Sequence, residues 1–343
     1  MNDDKLSRRS LLAKAAAAAV STPTLAQAAM SALQSRPIVG QGEFRYECYH
    51  DWLTPPANVV FGYTHGLAVD SEGRIYLAQT VHPSSVGSDA VQVYDQKGKL
   101  VDSWGAEFRN GAHGLDLRKE GNEEFLYHCD INRRLVVKTD LKGKVIWQQG
   151  WPKDSGVYQS EDQWKPTNVA FHPEGDVYVG DGYGSSYVHR YSKDGAWKSV
   201  VAGPGKDPGK LNTPHGLWVD DRDHHPKLCV ADRGNHRLQY FSLEGEYLSM
   251  VTDGMRQPCH IHYNKGWLLI PDLDSVVTIL DKSNKVAAML GDGAPTKLHD
   301  APRDQFIPGK FINPHASIWI NKNDILVAEW VSIGRVTLLK KVS

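Results

Sequence analysis

The chain of 343 residues carries only four cysteines, Cys48, Cys129, Cys229 and Cys259, and no two of them stand close together in sequence. The absence of a close pair argues against a four-cysteine zinc site, and Cys129 and Cys229, at the ends of apolar runs, read as small buried residues. Charge of either sign is not in excess, with 39 Lys+Arg against 40 Asp+Glu. No basic run interleaves with aromatics, so nucleic acid is a poor partner. Beyond the leader no apolar run approaches the length of a membrane span, and none is expected in the mature chain.

The first residues form an address. Ser7-Arg8-Arg9-Ser10-Leu11-Leu12 precedes an Ala-rich apolar stretch through Val20, and Ala26-Gln27-Ala28 offers a small-x-small cleavage site. Motif, run and cleavage site in that order read as a twin-arginine signal peptide over 1–28, which places the mature protein in the periplasm or outside the cell. Residues 29–43 read as a linker and 44–343 as one folded domain.

That domain is an array. Six segments align: Thr64-His65-Gly66-Leu67, Ala112-His113-Gly114-Leu115, Pro166-Thr167-Asn168-Val169, Pro214-His215-Gly216-Leu217, Pro258-Cys259-His260-Ile261 and Pro314-His315-Ala316-Ser317. They recur about every 50 residues, a period typical of propeller blades. Each is followed by a polar turn and a second apolar run, often ending in an acid, as in Val177–Asp181, Leu228–Asp232 and Leu268–Asp272. A third run, a Gly-containing turn and a fourth run complete the unit, so the fold expected is all-β, a six-bladed β-propeller. The last repeat holds only three runs, and Phe44–Tyr49 alternates suitably to supply its outer strand and remove an exposed sheet edge.

In such a ring the first strand of each blade lines the channel, and aligned positions of consecutive blades stand about 60° apart. His113, His215 and His315 come from alternate blades and so approach threefold symmetry around one mouth. Three imidazoles with a fourth position open are the ligand set of catalytic zinc. The competing reading is that Pro-His-Gly only satisfies a turn, and His65 sits at the same aligned position outside the threefold pattern. The loops after the second strands face the same mouth, bringing Tyr183 and Arg233 toward the histidines. A phenol beside Zn²⁺ can act as a base and a guanidinium can hold a carboxylate; equally, Tyr183 can pack over the channel while Arg233 and Arg237 brace neighbouring blades.

Asp232-Arg233-Gly234-Asn235-His236-Arg237-Leu238 resembles the signature of NHL repeats, and the mature chain looks like a six-bladed NHL propeller. Within that class, His113-Gly114-Leu115, Lys165–Val169 leading to Asp181-Gly182-Tyr183, Pro214–Leu217 leading to Val230–Arg233, and Pro314-His315 resemble the peptidyl-α-hydroxyglycine α-amidating lyases. These zinc enzymes cleave hydroxyglycine-extended peptides into a peptide amide and glyoxylate. The resemblance implies that His113, His215 and His315 bind zinc, that Tyr183 is the active-site tyrosine and that Arg233 is the arginine of the Asp-Arg loop. Two positions depart from the family: Gln79 stands where the lyases have a catalytic arginine, and Asn313, two before the last histidine, where they have methionine. The family's two disulfides are not matched, since Gly184 follows Tyr183 where the lyases have a cysteine.

The function expected is a zinc-dependent, lyase-like enzyme, a monomer acting on a small polar or peptide substrate at the channel mouth, with Gln79 presented to that mouth. Two alternatives are a non-catalytic propeller binding a protein or glycan and a lactonase-type propeller hydrolase. The latter's central ion is usually calcium and calls for carboxylates on the inner strands, where this chain has mostly histidine. Beside catalytic zinc, Ca²⁺ is considered only as a structural ion.

Overall fold

The computed structural model describes residues 36–342, and the propeller begins at Pro37. The signal peptide expected over 1–28 lies outside the described residues. Six sheets follow one another in chain order, antiparallel except that Lys210–Leu211 adds a short parallel strand to the edge of blade 3. Blade 1 is built from Thr64–Val69, Ile75–Gln79, Val91–Tyr94 and Leu100–Trp104. Blades 2 to 5 start at Ala112, Asn168, Pro214 and His262, and blade 6 at Pro314. No helix among the described residues is long and apolar enough to cross a membrane.

The side-chain alternation of each strand divides its residues between two seams. In blade 1, Ile75 and Leu77 pack with Leu326 and Val336 of blade 6, while Tyr76 and Ala78 pack with Leu115 and Leu126 of blade 2. The core is therefore a ring of six inter-blade clusters, and the middle strands, covered on both faces, are buried end to end. Outer strands such as Tyr247–Val251 stay largely exposed. Tight turns join third to fourth strands: Asp140 Oδ1 accepts from the N–H of Lys142 and Lys144 at 2.8 and 2.9 Å, and Gly143 takes the left-handed conformation at φ +85° that an L side chain resists.

Blade 6 takes its fourth strand from the other end of the propeller. Tyr46–Tyr49 pairs antiparallel with Arg335–Lys341. Ile38–Val39, inside the segment expected as linker, adds a further strand by pairing with Tyr46 and Glu47, so the sheet contribution starts before residue 44.

Candidate functional site

Four of the six first strands begin with a register shift: between Thr64 and Gly66, Ala112 and Leu115, Pro214 and Leu217, and Pro314 and Ala316. A bulge re-aims the residue it contains. Those residues include His65, His113, His215 and His315, all buried, and their rings meet on the channel axis. His113, His215 and His315 form a near-equilateral triangle, with centroids 4.9, 4.8 and 4.7 Å apart.

Each of the three is held by the next blade at the aligned position. His113 Nδ1 meets the Thr167 carbonyl at 2.7 Å, His215 Nδ1 the Cys259 carbonyl at 2.7 Å, and His315 Nδ1 the His65 carbonyl at 3.2 Å. The six aligned positions thus alternate around the ring between imidazole and carbonyl. Glycine after the histidine permits the short contacts, because a Cβ on Gly114 would stand 2.3 Å from Thr167 O and one on Gly216 2.6 Å from Cys259 O. Ala316 occupies that position in blade 6, where the contact is longest. A carbonyl partner requires a proton on Nδ1, which leaves each Nε2 with a free lone pair, the form in which histidine binds metal.

Burial keeps these rings neutral. It pushes His113 down to about 3, and His65, His215 and His315 well below the ordinary histidine value, with the neighbouring imidazoles and Arg233 adding in the same direction. A set of neutral, preoriented nitrogens with no carboxylate among them fits a borderline-soft divalent ion such as zinc better than calcium.

Tyr183, from the loop after the second strand of blade 3, places its hydroxyl 2.9 Å from His215 Nε2 and 3.3 Å from His113 Nε2. Arg233, from the corresponding loop of blade 4, donates to the same oxygen at 3.2 Å, its guanidinium 5.1 Å from the Tyr183 ring centre. Burial raises the Tyr183 pKa, and the Arg233 charge opposes that rise. Arg233 forms no ion pair among the described residues, whereas Arg237 donates to Asp232 at 2.7 Å and braces the blade. Above the cluster opens a cavity of about 500 Å³, with His65, Tyr183 and Arg233 on one side and Tyr63 and Trp330 on another. His299 joins this aromatic wall, stacked 5.5 Å from Tyr63 and tilted against Trp330 at 4.2 Å.

Gln79 is placed otherwise than expected. Its side chain is fully buried, Oε1 accepting from Gly62 N–H (2.9 Å) and Val81 N–H (2.6 Å), and Nε2 donating to the Asp89 carbonyl (3.1 Å). The same position ends or directly follows the second strand of every blade, and elsewhere it is acidic: Asp130, Asp181, Asp232, Asp272 and Glu329, all fully buried. These side chains anchor main-chain N–H groups; Asp232 accepts from Asn212 and Asp272 from Arg256 and Gln257. From the loops that follow these anchors it is the next residues that reach the cavity, Thr80, Ile131, Tyr183, Arg233, Leu273 and Trp330. Blade 1 therefore presents Thr80 rather than residue 79. Asn313 ties a seam, donating to the Leu273 carbonyl at 2.9 Å and meeting His299 Nδ1 at 3.0 Å. Gln79→Arg is expected to lower stability by about 2 kcal/mol, because it buries a cation whose surroundings are main-chain groups already satisfied by an amide. Urea unfolding of the variant checks this, and an unchanged midpoint would contradict the anchor role.

All four cysteines are buried and free. Elsewhere, burial pushes His128, His189 and His262 each down to about 3. A histidine whose folded pKa is depressed stays neutral while its unfolded counterpart takes up a proton, so stability falls as pH drops below about 6.5 and continues falling toward 3, by at most about 1.4 kcal/mol per group per pH unit. Asp181, raised to about 7 by burial, acts in the opposite sense by binding its proton in the folded state. Burial raises Asp116 and Asp272 as well, but with His50 and the four rings of the cluster the histidines outnumber the three acids, and the thermal midpoint is expected to fall by several degrees between pH 7 and pH 5.5; a midpoint that holds or rises over that interval would refute this balance.

Fold and site together define a six-bladed propeller with a buried histidine cluster at one mouth. In sequence the chain is similar to rat peptidylglycine alpha-amidating monooxygenase, 28% identical over 229 residues, which are 59% of this chain and 23% of that enzyme. It is also similar to a probable peptidyl-alpha-hydroxyglycine alpha-amidating lyase of Caenorhabditis elegans, 29% identical over 164 residues, 46% of this chain and 44% of the relative. Human NHL repeat-containing protein 3 is 26% identical over 196 residues, 54% of each chain. The chain thus covers less than two thirds of the length of these relatives. No protein-family model matches it. Among solved structures, a streptogramin B lyase superposes with a TM-score of 0.58 at 12% identity, covering 88% of this chain and 100% of its own. A gluconolactonase from Xanthomonas campestris superposes with a TM-score of 0.56 at 17% identity, covering 90% and 92%. At such identities the likeness is one of fold.

Proposed function

We propose that this protein is an exported, zinc-dependent lyase that breaks the C–N bond of an α-hydroxyglycine-type substrate, giving an amide and glyoxylate. The observation that carries the reading is the Tyr183 hydroxyl, set between His113 Nε2 and His215 Nε2 and bonded to an arginine that has no carboxylate partner among the described residues. His113, His215 and His315 would hold the ion, which supplies Lewis-acid polarisation of the substrate hydroxyl.

The chain's own residues account for the rest. Arg233 is free to pair with the substrate carboxylate at the edge of the cavity, a contact worth more in a buried setting than in water. Tyr183 takes the hydroxyl proton as the carbon–oxygen double bond forms and the C–N electron pair leaves with nitrogen. Returning that proton to the amide nitrogen balances the reaction without any oxidant or reductant. The Arg233 charge favours the phenolate form in which Tyr183 accepts that proton.

The test is release of glyoxylate from an α-hydroxyglycine-terminated peptide by the zinc-loaded mature protein. Tyr183→Phe is expected to lower turnover on the order of tenfold or more with zinc content unchanged, the loss of one charge-assisted contact and the proton acceptor. Zinc bound and no glyoxylate would overturn the lyase reading. Blade 1 offers Thr80 rather than an arginine at the mouth, which favours a second reading, a propeller binding a protein or glycan ligand there, and that outcome would leave it in first place.

A further inference from the structure

His65 breaks the threefold order of the site. Its aligned counterparts at the carbonyl-giving positions are Thr167 and Cys259, neither an imidazole. Yet the His65 ring lies as close to the cluster as the others, 4.6 Å from His113 and 4.5 Å from His315. The four rings therefore make two triangles sharing the His113–His315 edge, and ligand atoms of His65, His113 and His315 all lie within 4.8 Å of one another, a group that does not include His215.

The orientation of His65 is also its own. The three other histidines turn Nδ1 outward to a carbonyl; His65 turns Nδ1 inward, 3.3 Å from His315 Nε2. Because His315 Nδ1 carries the proton that meets the His65 carbonyl, its Nε2 bears a lone pair directed at His65. A separation of 3.3 Å is long for an N–H···N hydrogen bond. It is close to the edge of a tetrahedron around an ion with metal–nitrogen bonds of about 2.0–2.1 Å, which is about 3.3–3.4 Å. Packing four neutral imidazoles together with no acid between them is unfavourable unless a cation gathers their lone pairs.

We infer that His65 Nδ1 is a nitrogen donor to the ion together with His113 and His315, so that blade 1 supplies a ligand of this chain's site. The inference rests on the metal-site reading above and adds a ligand from blade 1, where the resemblance to the lyases supplies none. It makes the resting site closed on the His65 side, and an incoming oxygen ligand must either expand the coordination or take the place of His65. A wholly neutral nitrogen set leaves the full 2+ charge on the ion, which strengthens its pull on that oxygen.

The experiment compares the wild-type mature protein with His65→Ala and His65→Gln, each stripped by a chelator and refilled with Zn²⁺ or Co²⁺. Competition with a chromophoric chelator reads affinity, and the visible absorption of the Co²⁺ forms reads the ligand field. Wild type is expected to bind about one ion. Both variants should bind it on the order of ten- to a hundredfold more weakly with an altered Co²⁺ spectrum, and added imidazole should restore the wild-type spectrum in His65→Ala. Equal affinity and an unchanged spectrum in a folded variant would overturn the inference while leaving the three-histidine site standing. A wild-type protein that takes up no ion would overturn both. If His65→Ala does not fold, His65→Gln, with an amide of similar reach, decides.

Discussion

His215→Ala is expected to weaken zinc binding at least about a hundredfold and to abolish turnover of the hydroxyglycine peptide. Apparent zinc-binding free energies of about 10–16 kcal/mol shared among three histidine ligands assign about 3–5 kcal/mol to each, and about 2.7 kcal/mol already corresponds to a factor of about a hundred. Two further losses accompany it. His215 Nε2 is the nearest nitrogen to the Tyr183 hydroxyl, at 2.9 Å, so its loss also frees the phenol. Its Nδ1 partner, the Cys259 carbonyl, is left buried without its donor, a penalty of about 1–3 kcal/mol that falls on folding. Zinc content by elemental analysis after dialysis against buffered zinc, with a thermal melt to confirm folding, reads the outcome. A folded variant that retains zinc at wild-type affinity would remove His215 from the ligand set.

The fold was legible because propeller blades repeat. The six aligned segments that mark first strands in the sequence open the six sheets, and the missing fourth run of the last repeat corresponds to the pairing of Tyr46–Tyr49 with Arg335–Lys341. The convergence of His113, His215 and His315 was legible for the same reason: residues at one aligned position of a ring must face one axis. Direction was harder to read. Whether a residue at the end of a second strand points into the cavity or back into the blade depends on a single step along an alternating chain, and a step of one exchanges the faces. Gln79 and Thr80 differ by that step. The acids at 130, 181, 232, 272 and 329 were visible as a pattern and could have identified position 79 as a sixth anchor, because five neighbours that hold main-chain N–H groups predict the same task for the sixth. The aromatic wall of Tyr63, His299 and Trp330 left less trace, since its members come from three loops with no common spacing; only Trp330, following Glu329 as Arg233 follows Asp232, could have been found by aligning second strands.

The anchor in the closing blade supplies the largest stability prediction. Glu329→Ala is expected to cost about 3–5 kcal/mol, the range found when one partner of a buried ion pair is removed and the other stays. Glu329 is fully buried, and it accepts from Arg335 Nε at 2.5 Å, from Arg335 Nη2 at 2.9 Å and from the Ile312 N–H at 2.7 Å. Arg335 is itself 2% exposed and would keep the Lys310 carbonyl and the face of Phe306, 5.0 Å away, but no charged partner among the described residues. That guanidinium lies at the start of the strand that receives Tyr46–Tyr49, so the damage falls where the ring closes. Against a total stability of about 5–15 kcal/mol this is enough to unfold a marginal propeller near physiological temperature. Glu329→Gln separates geometry from charge. Blade 1 already uses an amide at this position, but its partners are neutral main-chain groups, whereas in blade 6 the amide would leave a buried cation uncompensated. Glu329→Gln should therefore recover only part of the loss, and Glu329→Gln combined with Arg335→Gln more of it. Urea unfolding of the three variants measures the series, and a Glu329→Ala cost below about 1 kcal/mol would show that the closing blade is held by its apolar seams alone.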